Sequence, residues 1–155
     1  MAISVGERAP RFELPSTEGT AKLDGLGKRL VLYFYPRDNT PGCTREAQDF
    51  AERYEAFREL GVEIWGVSKD SLASHERFRA KFGLPFPLLS DADNAVARVF
   101  GAYGTKKMYG KEVEGVIRST FLVGPDGTIE AVWSPVRVAG HADEVLAKVR
   151  AIVAG

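Results

Sequence analysis

Residues 30–35 read LVLYFY, six apolar or aromatic positions with no polar break on either parity. A strand that is apolar on both faces must be covered on both faces, so this run predicts a strand in mid-sheet with layers above and below it. Pro36 ends it, because a residue without an N–H cannot extend a ladder. Beyond the turn, Ala47, Phe50, Ala51, Tyr54, Phe57 and Leu60 recur at the spacing of one helix face, with Gly61 standing where a C-terminal stop belongs. The chain thus crosses from a buried strand to an amphipathic helix over 44–60 through PRDNTPGC, which ends on Cys43, the one cysteine in 155 residues.

The remaining sequence keeps alternating. RFELPSTEGTAKL carries short β-type pieces around a TEGT turn, and 62–67 (VEIWGV) predicts the next strand. Residues 71–82 predict a helix ending at Gly83, and 94–101 a shorter one. STFLVGPDGTIEAVWS gives two strands joined by Pro-Asp-Gly turn chemistry, and 142–153 a closing helix with Ala142, Val145, Leu146 and Val149 on one stripe. The polar, glycine-bounded run GTKKMYGKEVEG reads as a surface loop. No Pro/Gly/Ser stretch is long enough to separate two units, so 1–155 is expected to be a single domain. Two strand–helix–strand units, a late hairpin and a final helix define an α/β class, a mixed central sheet with helices on both faces. In such sheets chemistry collects at the carboxyl ends of strands, where Cys43 falls.

Composition narrows the function. Twenty-one basic residues balance 21 acidic ones, which leaves no long-range field for gathering nucleic acid or anionic lipid. The N-terminus lacks a basic segment followed by an apolar one, and no apolar stretch is long enough to span a bilayer, so a cytoplasmic protein is expected. One cysteine makes no internal disulfide, and with only His75 and His141 it makes no zinc cage. His75 follows candidate capping serines and His141 precedes the last helix, and both read as cap or surface residues. GAYG and GPDG are turns without the context of a phosphate loop. Tyr35 is close enough to the turn to reach the rim of a pocket there.

At the start of a helix, the Cys43 sulfur would face unsatisfied N–H groups and the positive end of the helix dipole, both of which favour a thiolate nucleophile. The competing reading is a small buried hydrophobe, the commonest use of a free cysteine. Position alone leaves both open.

The neighbouring residues decide between them. PRDNTPGCTRE contains Pro-x-x-x-Thr-x-x-Cys, made by Pro36, Thr40 and Cys43, and resembles the active-site signature of peroxiredoxins. The likeness runs through GVSKDS, SHERF, KFGLPFPLLSD, YGKEVEGVIRSTFLVGPDGTI and GHADEVL, which are similar to the peroxiredoxin Q, or bacterioferritin-comigratory, subfamily. The resemblance implies a thioredoxin-like fold, a thiol peroxidase acting on hydrogen peroxide and organic hydroperoxides, and a monomer or weak dimer. It assigns Cys43 as the peroxidatic nucleophile, Thr40 as a hydroxyl on the peroxide, Pro36 as the shield of the pocket, and Arg118 as the active-site arginine. Thiolate attack moves charge from sulfur to the departing oxygen, so the N–H groups of Gly42 and Cys43, the Thr40 hydroxyl and Arg118 are suited to donate to both oxygens. No cofactor is required by this chemistry. Arg118 heads the apolar RSTFLV and needs an anion beside it, for which Cys43 and Glu46 are the candidates. Glu46 is expected chiefly as a favourable acid in the first helical turn, with a secondary role in orienting Arg118.

In one respect the sequence departs from the subfamily. Many members carry a resolving cysteine five residues after the peroxidatic one, where this chain has Gln48, and no other cysteine exists. An external thiol is then required: thioredoxin, a glutaredoxin or a low-molecular-weight thiol. A peroxide sensor or oxidation relay, passing its disulfide to a partner protein, is the alternative function. A disulfide oxidoreductase is disfavoured because PGCT lacks a second thiol.

Overall fold

The computed structural model describes residues 2–155. Nine strands and five helices follow in the order β1 (Phe12–Ser16), β2 (Gly19–Leu23), β3 (Arg29–Phe34), α1 (Pro41–Glu52), α2 (Tyr54–Glu59), β4 (Val62–Ser68), α3 (Leu72–Phe82), β5 (Leu88–Ser90), α4 (Ala95–Val99), β6 (Tyr103–Met108), β7 (Lys111–Val116), β8 (Ser119–Val123), β9 (Ile129–Trp133) and α5 (His141–Ala154). Seven strands form one sheet in the order β2-β1-β5-β4-β3-β8-β9, parallel for β3, β4 and β5 and antiparallel elsewhere, while β6 and β7 pair only with each other. β3 lies in mid-sheet between β4 and β8, as its apolar run requires.

The two parities of β3 feed two cores. Val31, Tyr33 and Tyr35 pack with Phe50 and Phe57 of the first two helices, Phe78 of α3 and Val145 of α5. Leu30, Leu32 and Phe34 pack on the other face with Trp65, Phe100, Phe121 and Val96 of α4. Four helices therefore cover one face, and α4 with the N-terminal segment covers the other. None of the helices is long and apolar enough to cross a membrane.

The helix expected over 44–60 is two helices. It begins earlier, at Pro41, and breaks at Arg53 (φ −105°, ψ 3°), whose side chain leaves for Asp143 at 2.6 Å and for the Asp49 carbonyl at 2.8 Å. Gly61 (φ +75°) and Gly83 (φ +61°) take the left-handed backbone that helix ends require of glycine. Ser71 caps α3 by accepting from Ser74 N–H at 3.2 Å.

The run expected as a loop over residues 104–115 instead belongs to the β6–β7 hairpin. Tyr109 (φ +53°) and Gly110 (φ +77°) form its tip, the pair of left-handed positions that a two-residue hairpin turn demands. Most of its residues face water, so no buried stripe announces it as strand.

Candidate active site

The register of the central sheet sets the geometry. Phe34, last in β3, pairs with Ser119, first in antiparallel β8, so Arg118 lies beside the chain as it leaves the carboxyl end of β3. Thr40 precedes α1 in extended conformation, and Pro41 takes the first helical position, where a missing N–H costs nothing. Thr44 is the first residue whose N–H closes a turn, onto Thr40 O at 2.8 Å. The N–H groups of Gly42 and Cys43 have no carbonyl four residues back to bond and stay available at the helix N-terminus.

Cys43, the third residue of α1, is 2% exposed. Arg118 Nη2 donates to its Sγ at 3.2 Å, and Arg118 Nη1 donates to Glu46 Oε1 at 2.7 Å. Three residues apart on one helix, Cys43 and Glu46 present to the same guanidinium. Burial pushes the Glu46 carboxyl up to about 7 against the pull of Arg118, and its Oε2 has no partner among the described residues. For Arg118 the balance is reversed: burial opposes the charge, but Glu46 and Cys43 outweigh it and raise the guanidinium further. Because α1 starts at Pro41, Glu46 belongs to its second turn. Its expected role as a first-turn acid gives way to that of a buried ion-pair partner.

Pro36, Thr40, Cys43 and Arg118 line one pocket of about 580 Å³, with Tyr103, Lys106, Met108, Val113 and Val116 of the hairpin as its other wall. The four residues nominated from sequence thus meet in space. The Thr40 hydroxyl donates to Arg37 O at 2.9 Å, so its lone pairs, rather than its proton, are what it offers to the pocket. Gly42 is close behind: a Cβ there would stand 3.3 Å from Arg118 Nη2. Gln48 is exposed while Cys43 is buried.

Three expectations are corrected. Tyr35 does not reach the pocket; it is fully buried and donates to Asp38 Oδ1 at 2.6 Å. His75 is neither cap nor surface residue but is buried in α3, with Nδ1 2.7 Å from Asp38 Oδ2 and Nε2 2.9 Å from Leu89 O. His141 is buried too, its Nε2 2.8 Å from Thr120 Oγ1 and its ring edge-on to Phe50 and Trp133. Burial, then Arg118, holds the His141 imidazole down at about 4, so it is neutral near pH 7. The contribution of the hairpin to the pocket, Lys106 above all, was missed, and the Tyr109-Gly110 turn was its signal.

Residues 5–132 match the AhpC/TSA family. The chain belongs to that family. It is 47% identical over 150 residues to the putative peroxiredoxin bcp of Coxiella burnetii, covering 96% of this chain and 99% of that one. It is likewise 47% identical over 148 residues to peroxiredoxin Bcp of Bacillus subtilis, covering 94% of each. Among solved structures, Xanthomonas campestris peroxiredoxin Q superposes with a TM-score of 0.86 at 47% identity over 92% of this chain and 91% of its own. Peroxidoxin BcpB of Mycobacterium tuberculosis superposes with a TM-score of 0.85 at 34% identity, over 97% and 98%. The protein is therefore a peroxiredoxin of the Q/Bcp type, a thioredoxin-like fold and a thiol-dependent peroxidase, in a one-cysteine form.

Proposed function

We propose that this peroxiredoxin reduces hydrogen peroxide and organic hydroperoxides through a sulfenic acid on Cys43, which an external thiol then reduces. The observation that carries this reading is the 3.2 Å contact from Arg118 Nη2 to Cys43 Sγ at the N-terminus of α1, within a pocket. A solved relative, the Xanthomonas campestris bacterioferritin comigratory protein, is described in terms of alkyl peroxide reduction.

In the proposed step the Cys43 thiolate attacks the terminal peroxide oxygen in line. The S–O bond forms as the O–O bond breaks, the sulfur is oxidised to S–OH, and the departing alkoxide or hydroxide takes a proton to leave as alcohol or water. Arg118 and the free N–H groups of Gly42 and Cys43 donate to the oxygens as charge moves between them. Thr40 accepts from the peroxide O–H, and Pro36 shields the sulfur without competing for a proton.

Cys43→Ser tests the assignment, because the hydroxyl is nearly the same size and the wrong nucleophile. Peroxide consumption should vanish with the circular dichroism unchanged; retained activity overturns the role of Cys43. Failure of every thiol to sustain turnover, beside fast transfer of the oxidation to one protein, would mark a relay instead.

A further inference from the structure

We infer that the thiol which regenerates Cys43 is small and anionic, a low-molecular-weight thiol bearing a carboxylate, and that Lys106, Lys69 and Arg37 receive that carboxylate. The inference rests on the proposed Cys43 sulfenic acid and concerns what meets it next.

Access is the first ground. With no second cysteine in the chain, the attacking sulfur must come from outside, and it must approach a Cys43 that is 2% exposed in a pocket walled by the β6–β7 hairpin. A protein thiol on a loop would have to displace that wall. A small thiol fits within about 580 Å³ beside it.

Charge is the second ground, and it is independent of the first. Arg37, Lys69 and Lys106 all line the pocket and none takes part in an ion pair among the described residues; the one acidic side chain lining it is Glu114. Arg118 is already held by Glu46. In a chain with no net charge this is a local excess of cation. Lys106 is its centre. Its ammonium gives one hydrogen bond to Val116 O at 2.9 Å and keeps two donors free. Burial and then the repulsion of Arg118 pull its pKa down, the Cys43 thiolate opposes this and Lys69 adds to it; once Cys43 is a neutral sulfenic acid, the group is a cation among cations. An incoming carboxylate relieves that repulsion and leaves the thiol end of the same molecule near Cys43.

The chemistry balances with two equivalents of thiol. The first attacks the sulfur of Cys43–SOH, forming a mixed disulfide and releasing water. The second attacks the mixed disulfide at the small molecule's sulfur, releasing its disulfide and returning Cys43 as thiolate. One peroxide is reduced and two thiols are oxidised.

The test is to treat the full chain with one equivalent of hydrogen peroxide, confirm the gain of one oxygen by intact mass, and follow reduction by stopped flow. The thiols are 3-mercaptopropionate, 2-mercaptoethanol and cysteamine, compared at equal thiolate concentration, with thioredoxin as the protein thiol. Mercaptopropionate should lead and cysteamine trail, by roughly threefold to tenfold per step at low salt, and the spread should shrink at high salt. Lys106→Gln should remove the lead of mercaptopropionate over 2-mercaptoethanol, and Lys106→Arg should restore it. Equal rates for the three small thiols, or thioredoxin outrunning all of them, overturns the inference and leaves the peroxidase reading standing. If Cys43 gains no oxygen at the outset, the peroxidase reading itself fails and takes the inference with it.

Discussion

Glu46 holds Arg118 through Oε1 at 2.7 Å and leaves Oε2 buried without a partner among the described residues. The carboxylate is thus half satisfied, and what it does for the fold depends on pH. Its carboxyl is pushed from the ordinary range near 4.5 up to about 7 by burial. Between those values the folded chain holds the proton more tightly than the unfolded one, so stability falls as pH rises, by about 3 kcal/mol in all.

His141 titrates in nearly the same window with the opposite sign. Burial and Arg118 lower it from about 6.5 to about 4, so the unfolded chain binds the proton first and stability falls as pH drops. The two slopes oppose each other and should largely cancel in the parent protein between pH 4.5 and 6.5. Glu46→Gln should expose a melting temperature that falls toward acid, and His141→Asn one that falls toward neutrality. Thermal denaturation of the three proteins at half-unit pH steps checks both.

Arg118→Ala removes the cation from Cys43 and strands Glu46 in the interior. Oxidation of Cys43 by hydrogen peroxide should slow by about 100-fold, the value of one charge-assisted contact in a desolvated site, with Arg118→Lys falling between. Stopped-flow measurement of the second-order rate checks it, and equal rates in all three proteins would remove Arg118 from the chemistry.

Gly42→Ala separates fold from site. Alanine suits a helix better than glycine, by up to about 1 kcal/mol, yet its Cβ would stand 3.3 Å from Arg118 Nη2 and press the guanidinium out of place. The variant should be at least as stable as the parent and slower toward peroxide. Paired melting and rate measurements distinguish this from a general loss of folding.

Gln48→Cys asks whether α1 holds. Five residues along a helix amount to a turn of about 140° and a rise of about 7.5 Å, whereas a disulfide needs Cα atoms within roughly 7 Å and converging side chains. In the parent, one equivalent of peroxide should leave a sulfenic acid that a dimedone probe traps, and excess should carry it to sulfinic acid. In the variant the product should be an internal disulfide, with loss of amide protection over 44–48 as the helix opens. Intact mass separates a gain of one oxygen from a loss of two hydrogens.

How legible the site was depended on distance along the chain. Pro36, Thr40 and Cys43 lie within eight residues, and their pattern could be read directly. Arg118 came from family likeness, supported by the apolar run it heads, since its place is fixed by the pairing of Phe34 with Ser119 across the sheet. The histidines were misread because their partners are remote: Asp38 is 37 residues from His75, and Thr120 is 21 from His141. Glu46 was misread by a helix start drawn a few residues too late. The central strand was plain because both faces of β3 are buried, and the hairpin was hidden because neither strand of it has a buried face to show.

The hairpin pairs with no strand of the main sheet and is anchored at its base, where Ala102 N–H bonds Ala97 O at 2.8 Å and Val116 is buried, while its tip, Tyr109, is 99% exposed. Away from Val116 and Tyr103, which pack on the second core, its residues can change without disturbing either core, yet the hairpin forms half the wall of the pocket over Cys43. The nucleophile is thus fixed by the buried sheet and α1, while one wall of its pocket is carried on an exposed hairpin. Grafting the hairpins of relatives onto this frame would retune its appetite and leave its nucleophile untouched.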